Sequence, residues 1–134
     1  MTPVTLLGSV LASLVLATGV VTPAGSATSS YGRTHADNGP LRNGCHNYRY
    51  HYVVSTPTND WTLETFLVDP TGETLASGAF LSDSDPNRGG ARFRFCRYST
   101  RAGVFTIRAK VHWYNGSDEH QAFFKPSHFR LRRT

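Results

Sequence analysis

From residue 44 onward, apolar residues recur at every second position rather than every third or fourth. That is the period of a half-buried strand, whose successive side chains point to opposite faces. The first such stretch is 46–55, with Tyr48, Tyr50, Tyr52 and Val54 on one face. The second is 61–68, where Trp61, Leu63 and Leu67 alternate with other residues. Asp69-Pro70-Thr71-Gly72 reads as a turn, since proline presets φ and glycine takes a positive-φ position. Further strands are predicted over 73–81, 91–98, 104–114 and 118–125, and 129–132 continues or follows the last of these after Pro126. A polar loop occupies 82–90, and Asn115-Gly116 is a two-residue hairpin signal. No stretch carries a helical period. Short strands at this spacing predict an all-β fold, an antiparallel β-sandwich of about six to seven strands.

The faces constrain the pairing, because a one-residue slip turns a strand inside out. A two-residue turn at Asn115-Gly116 sets Tyr114 opposite Ser117, Val111 opposite His120 and Ile107 opposite Phe124. Phe105, Ile107, Ala109, Val111 and Trp113 then share one face with Ala122 and Phe124, and a four-residue turn keeps the same faces. Pairing Asp69 with Glu73 sets Leu67 by Leu75, Leu63 by Ala79 and Trp61 by Leu81. Pairing Cys45 with Cys96 sets Tyr48 by Phe93 and Tyr50 by Ala91 on the inside, with Asn47 by Arg94 and Arg49 by Arg92 outside. A bridge there lies on the outer face of one sheet and ties adjacent strands.

Composition narrows the class. The chain has 134 residues, 14 of them basic and 9 acidic, for a formal net charge of +5, and the first charged residue is Arg33. With 12% aromatic and 17% charged residues it is not disordered by composition. The head reads as a secretory signal peptide over 1–27: an apolar run over 4–21, then Gly25 and Ala27 at the −3 and −1 positions of a cleavage site. No Lys or Arg precedes the run, and an uncleaved membrane anchor is the alternative. Residues 28–43, rich in Ser, Gly, Asn and Pro, read as a flexible linker or a short edge strand, and 44–134 as a single β-sandwich domain with no integral membrane segment. That is too little chain for a TIM barrel or a full dinucleotide-binding fold. In an exported chain two cysteines favour a disulfide, with two buried thiols as the alternative. The bridge closes a loop of about 50 residues, for which chain entropy gives roughly 4 kcal/mol.

Trp61-Thr62-Leu63 leading to Asp69-Pro70-Thr71-Gly72, followed by Ala102-Gly103-Val104-Phe105-Thr106-Ile107, resembles the immunoglobulin-like or prepeptidase-C-type β-sandwich modules of secreted bacterial proteins. The Arg-rich, Lys-poor composition and the closing Phe129-Arg130-Leu131-Arg132 resemble small exported proteins of actinobacteria. The resemblance implies strands, turns and export, and no catalytic residue.

Three groups of residues are candidates for chemistry. Arg49, Arg92 and Arg94 fall together on the outer face of the first register, with His51 nearby, and opposed arginines repel unless an anion lies between them. Guanidinium forks match phosphate, sulfate and carboxylate. The functional reading of the patch is anion-binding, for cell-wall polymers, acidic glycans or nucleic acid; a solvated sheet face is the plainer account and the one the sequence favours. Lys125, Arg130, Arg132 and Arg133 form a second basic group at the tail, read as a flexible end. Asp83, Asp85 and Asn87 place oxygen ligands at positions 1, 3 and 5 of a weak calcium loop. Glycine at position 7, Arg94 at position 12 and Arg88 within the loop fit a solvated turn instead. Tyr48, Tyr50 and Tyr52 are core if paired with Phe93 and Phe95; His112, Trp113, Tyr114 and Tyr98 are surface-contact candidates. His112 opposite Glu119 is a cross-strand pair without an evident nucleophile, and neither GxSxG nor HExxH occurs.

Together these point to a secreted, monomeric, non-catalytic binding or envelope-associated module without a cofactor, acting on an anionic polymer or on another protein at the cell surface. A small secreted hydrolase or nuclease-like enzyme using His and Arg is the alternative, and a secreted inhibitor presenting the 82–90 loop is another.

Overall fold

The computed structural model describes residues 30–134; the proposed signal segment over 1–27 lies outside them. The described residues form nine strands: β1 (Gly32–His35), β2 (Gly39–Leu41), β3 (Cys45–Val54), β4 (Trp61–Val68), β5 (Thr74–Leu81), β6 (Arg88–Cys96), β7 (Gly103–Asn115), β8 (Asp118–Phe123) and β9 (Ser127–Arg133). One sheet has the order β1-β3-β6. The other has the order β2-β9-β7-β4-β5, and β8 lies in line with β9 along the same edge of β7. The fold is an all-β sandwich with one disulfide, Cys45–Cys96. Every strand pair is antiparallel except β2 with β9.

The two sheets close on an aromatic and aliphatic core. Tyr50 and Phe93 stack at 4.0 Å and Tyr48 and Phe95 at 4.3 Å, which places the tyrosine stripe inside. They meet Leu67, Phe105, Ile107 and Phe129 of the facing sheet. Trp61, Leu63, Val111 and Phe124 continue the core beyond them. The Tyr50 hydroxyl lies 2.8 Å from Thr65 Oγ1 across the interior. Burial pushes the Tyr50 phenol pKa up; the Thr65 bond opposes this and the neighbouring Tyr52 adds to it.

Several expectations need correction. The stretch read as a linker holds two strands, one at an edge of each sheet, and Thr34, Ala36 and Leu41 are buried there. These two, with the separation of β8 from β9, raise the count from six or seven to nine. At the β7–β8 hairpin Asn115 pairs with Asp118, so the central residues are Gly116 and Ser117 and the register is two residues from the expected one. Gly116 has φ 64° and Ser117 does not have positive φ, the sign pattern of a type II′ turn. A shift of two preserves the faces, and Val111 meets Ala122 instead of His120, still on the core side.

At the Pro70 hairpin Val68 pairs with Thr74 as expected, but Leu67 pairs with Ala76 and Leu63 with Phe80. Leu75 is the extra residue of a β-bulge, which lets both Leu75 and Ala76 pack on the core. Leu81 pairs with Thr62 instead of Trp61, and so lies on the other face, 51% exposed. A second slip lies at Lys125-Pro126: the Phe124 amide donates to Ala109 O, whereas Ser127 pairs with Ile107. The chain advances three residues there against two on β7. The inward set consequently changes from even numbers (Phe124) to odd ones (Phe129, Leu131).

Candidate functional site

The β3–β6 register is the predicted one: Cys45 pairs with Cys96, Asn47 with Arg94, Tyr48 with Phe93, Arg49 with Arg92 and Tyr50 with Ala91. Arg97 N donates to Gly44 O, and at the far end Val54 N donates to Asn87 O. These are hydrogen-bonded pairs, so alternation makes 45/96, 47/94 and 49/92 non-hydrogen-bonded pairs, in which side chains stand closest. The bridge occupies one of them, on the outer face, with Cα atoms 3.9 Å apart.

The outer face extends further than the sequence reading placed it. Arg33 of β1 pairs with Val53 of β3, and Val53 pairs with Arg88 of β6. His35 pairs with His51, and His51 with Gly90. One exposed face therefore carries Arg33, Arg49, Arg88, Arg92 and Arg94 together with His35 and His51. No acidic residue stands on it. Its charge of +5 equals that of the whole chain, because the other nine basic and nine acidic side chains cancel. Among the described residues none of these five arginines forms an ion pair; the carboxylates that meet a basic side chain are Asp37, beside His35, and Glu119, beside His112.

The face is shaped as well as charged. A groove of about 500 Å³ is lined by Arg33, His35, His51, Arg88 and Gly90. Gly90 contributes no side chain, and the His51 ring lies beside it. A second hollow, lined by Arg49, His51 and Arg92, adjoins it and shares His51 and Gly90. At about 3.4 Å per residue, the three arginines of β6 span roughly 20 Å. Asp37 Oδ1 lies 3.0 Å from His35 Nε2 at the solvent-exposed rim.

Arg33 and Arg88 fall outside the patch predicted from sequence because they lie in 28–43 and 82–90, whose composition reads as linker and loop. The Cys45–Cys96 register, run two more pairs past His51, already sets Arg88 opposite Val53.

The remaining candidates stand apart from this face. Asp85 Oδ2 accepts from the Leu81 amide at 2.9 Å, and Asn87 Oδ1 accepts from the Trp61 indole at 2.9 Å. Those oxygens hold the 82–87 segment on the sandwich, and Asp83 is exposed. Among the described residues no three His, Cys, Asp or Glu side chains converge as a metal site. The Tyr52 hydroxyl donates to Pro86 O at 2.9 Å and ties the same loop down. Burial pushes the Tyr52 phenol pKa up, and Asp85 adds to this.

His46 bonds Asn43 O at 2.6 Å, and His128 Nδ1 lies 2.9 Å from Thr106 Oγ1. His112 meets Glu119 at 2.9 Å, although its register partner is Gln121: the shifted hairpin makes the contact diagonal. Trp113 is buried between Tyr31 and His120, not presented at the surface. The basic tail is not a loose end, because β9 pairs with both β7 and β2. No helix among the described residues is long and apolar enough to cross a membrane. No protein-family model matches the chain, and no curated protein matches it.

Proposed function

We propose that this chain is an exported, non-catalytic binding module whose β1-β3-β6 outer face engages an anionic polymer. The observation that carries this reading is the concentration of the entire net charge on one acid-free sheet face. Five guanidinium groups without carboxylate partners repel one another, and a run of phosphates, sulfates or carboxylates laid across them relieves the repulsion. The disulfide supports export, because such bridges persist in oxidising compartments.

The test compares retention on immobilised heparin across a salt series. Arg92→Ala with Arg94→Ala removes two charges from the face. Arg108→Ala with Lys110→Ala removes two from the outer face of the other sheet. Each phosphate-type contact contributes roughly 0.7–0.9 to the slope of log K against log salt. The first variant therefore loses roughly 1.5 from that slope, and the second retains it. Unchanged retention of the first, or equal losses in both, sinks the proposal.

A second reading, a His/Arg-dependent hydrolase, has one observation in its favour. His35 and His51 oppose each other in the groove beside Arg33 and Arg88, with Asp37 bonded to His35. It predicts cleavage of an anionic polymer that His51→Ala abolishes while binding persists. Binding without cleavage by the wild-type protein overturns it.

A further inference from the structure

At the disulfide end of the molecule, away from the histidine groove, a separate hollow of about 400 Å³ opens between the two sheets' ends. Its rim carries Arg97, Arg101 and Arg133 with Tyr98, and buried Leu41 and half-buried Ala102 make an apolar floor. Among the described residues none of the three arginine side chains has a hydrogen-bond or ion-pair partner. Tyr98 is 85% exposed, more than any other large hydrophobic residue described.

The segment that bears them is held from several directions. The disulfide anchors Cys96, and Arg97 N donates to Gly44 O at 3.0 Å. Thr100 N returns to Arg97 O at 3.2 Å, closing the short 3₁₀ turn Arg97–Ser99. The Thr100 hydroxyl donates to Asp69 Oδ2 at 2.9 Å, fixing the exit. Arg133 arrives independently on β9, paired with Leu41 of β2. Arg101, Arg133 and Tyr98 are exposed and need no such framework to be solvated. A framework that fixes their backbone lowers the ordering cost when a ligand binds.

We propose that this hollow is a second binding site, for a small ligand carrying a tetrahedral oxyanion, phosphate or sulfate, on a sugar ring. Three guanidinium forks present more donors than a carboxylate can accept but match the three free oxygens of such an ester. The tyrosine ring offers a flat apolar face to the sugar, and the hydrophobic floor completes a concave site with few polar groups. Asp69 and Glu73 line an adjoining hollow with Arg101 and Tyr98. Both Asp69 oxygens accept hydrogen bonds from Thr71, Glu73 and Thr100, and among the described residues the Glu73 carboxylate forms no ion pair with an arginine. The site stands independently of the sheet face, since it shares none of the arginines there.

Isothermal titration with glucose 6-phosphate, glucose 6-sulfate, inorganic phosphate and glucose tests this, with amide shifts locating any binding. At least one ester binds, with shifts at 97–102 and 133, and glucose does not. Which ester binds more tightly identifies the source of the oxyanion. Arg101→Ala with Arg133→Ala weakens the ester at least tenfold, whereas Arg92→Ala with Arg94→Ala leaves it unchanged. Tyr98→Ala weakens the ester about fivefold and leaves inorganic phosphate unaffected. Absence of binding by both esters, shifts elsewhere, equal binding by the arginine variant, or glucose binding as tightly as its esters overturns the proposal. Equal ester affinity in Tyr98→Ala overturns the sugar assignment. Arg101→Lys keeps the charge, and a thermal unfolding midpoint within about 2 °C of wild type shows that losses in the variants are not losses of fold.

Discussion

Asp69→Asn probes the joint between the β4–β5 turn and the segment that leads into β7. Asp69 is only 5% exposed, yet it sits at shallow depth near the molecular surface. Its Oδ1 accepts from the Thr71 amide at 2.8 Å, the Thr71 hydroxyl at 2.6 Å and the Glu73 amide at 3.0 Å. Oδ2 accepts from the Thr100 hydroxyl at 2.9 Å. Asparagine keeps the volume but removes the charge and turns one oxygen into a donor. A hydrogen bond to a charged group nets roughly 1.5–3 kcal/mol against about 1 for a neutral one. Weakening four of them comes to about 2 kcal/mol after allowing for water at this depth.

The same site sets an acid dependence. Burial pushes the Asp69 carboxyl up, but the bonds from Thr71, Thr100 and Glu73 outweigh this and hold its pKa below the ordinary 3.8. A folded pKa below the unfolded one stabilises the protein above the unfolded value, and the gain is lost as pH falls through the folded value. The gap between wild type and Asp69→Asn is therefore full at pH 7 and narrows below about pH 4. Urea unfolding followed by tryptophan fluorescence, from pH 7 to pH 2.5, measures it. A variant within about 0.5 kcal/mol of wild type at pH 7, or a gap that stays constant down to pH 2.5, refutes the reasoning.

Two further substitutions test the frame. Cys45→Ser with Cys96→Ser opens a 51-residue loop, for which chain entropy predicts a loss of about 4 kcal/mol, read from urea midpoints; a loss below about 1 kcal/mol contradicts it. Gly32→Ala, at φ 150°, drives a methyl group into the Val53 carbonyl and the Phe124 ring, and costs about 3 kcal/mol in the same assay. Gly39→Ala meets nothing within 4 Å and stays within about 0.5 kcal/mol of wild type; equal effects of the two alanines would show that the close approach at Gly32 is not what matters.

How much was legible depends on how large the alternating side chains are. Tyr48, Tyr50 and Tyr52 against Phe93 and Phe95 fix which faces turn inward, and pairing the cysteines selects one register among those two residues apart, so the Arg49–Arg92 pair follows from pattern and bridge together. β5 reads Thr-Leu-Ala-Ser-Gly-Ala-Phe-Leu, where small residues fit either face. There the bulge at Leu75 is decided by packing on the core, which is not a local property. β1 and β2 hold four and three residues, and Leu41 is the one large buried aliphatic side chain in them. Partners remote in sequence make strands of such segments: β1 rests on β3, and β2 on β9. The parity change from Phe124 to Phe129 was visible in the chain and marks the slip at Lys125-Pro126.

The disulfide and the cationic face are consequences of one alternation. On β3 and β6 the core residues fall at hydrogen-bonded pairs and the outer residues at non-hydrogen-bonded ones, where Cα atoms approach to about 4.5 Å. A bridge between directly opposed cysteines needs that closeness, and Cys45 and Cys96 have it. The same closeness crowds Arg49 against Arg92 two pairs further on from Asn47–Arg94. In water, two like charges about 6 Å apart repel by roughly 0.7 kcal/mol, and the repulsion grows as solvent is displaced. The bridge holds β3 and β6 together at one end of a face whose opposed arginines push them apart further along, and so supports a face whose repulsion an anion relieves. Reducing the bridge should therefore cost more stability in low salt than in high salt, and added polyanion should recover part of the difference.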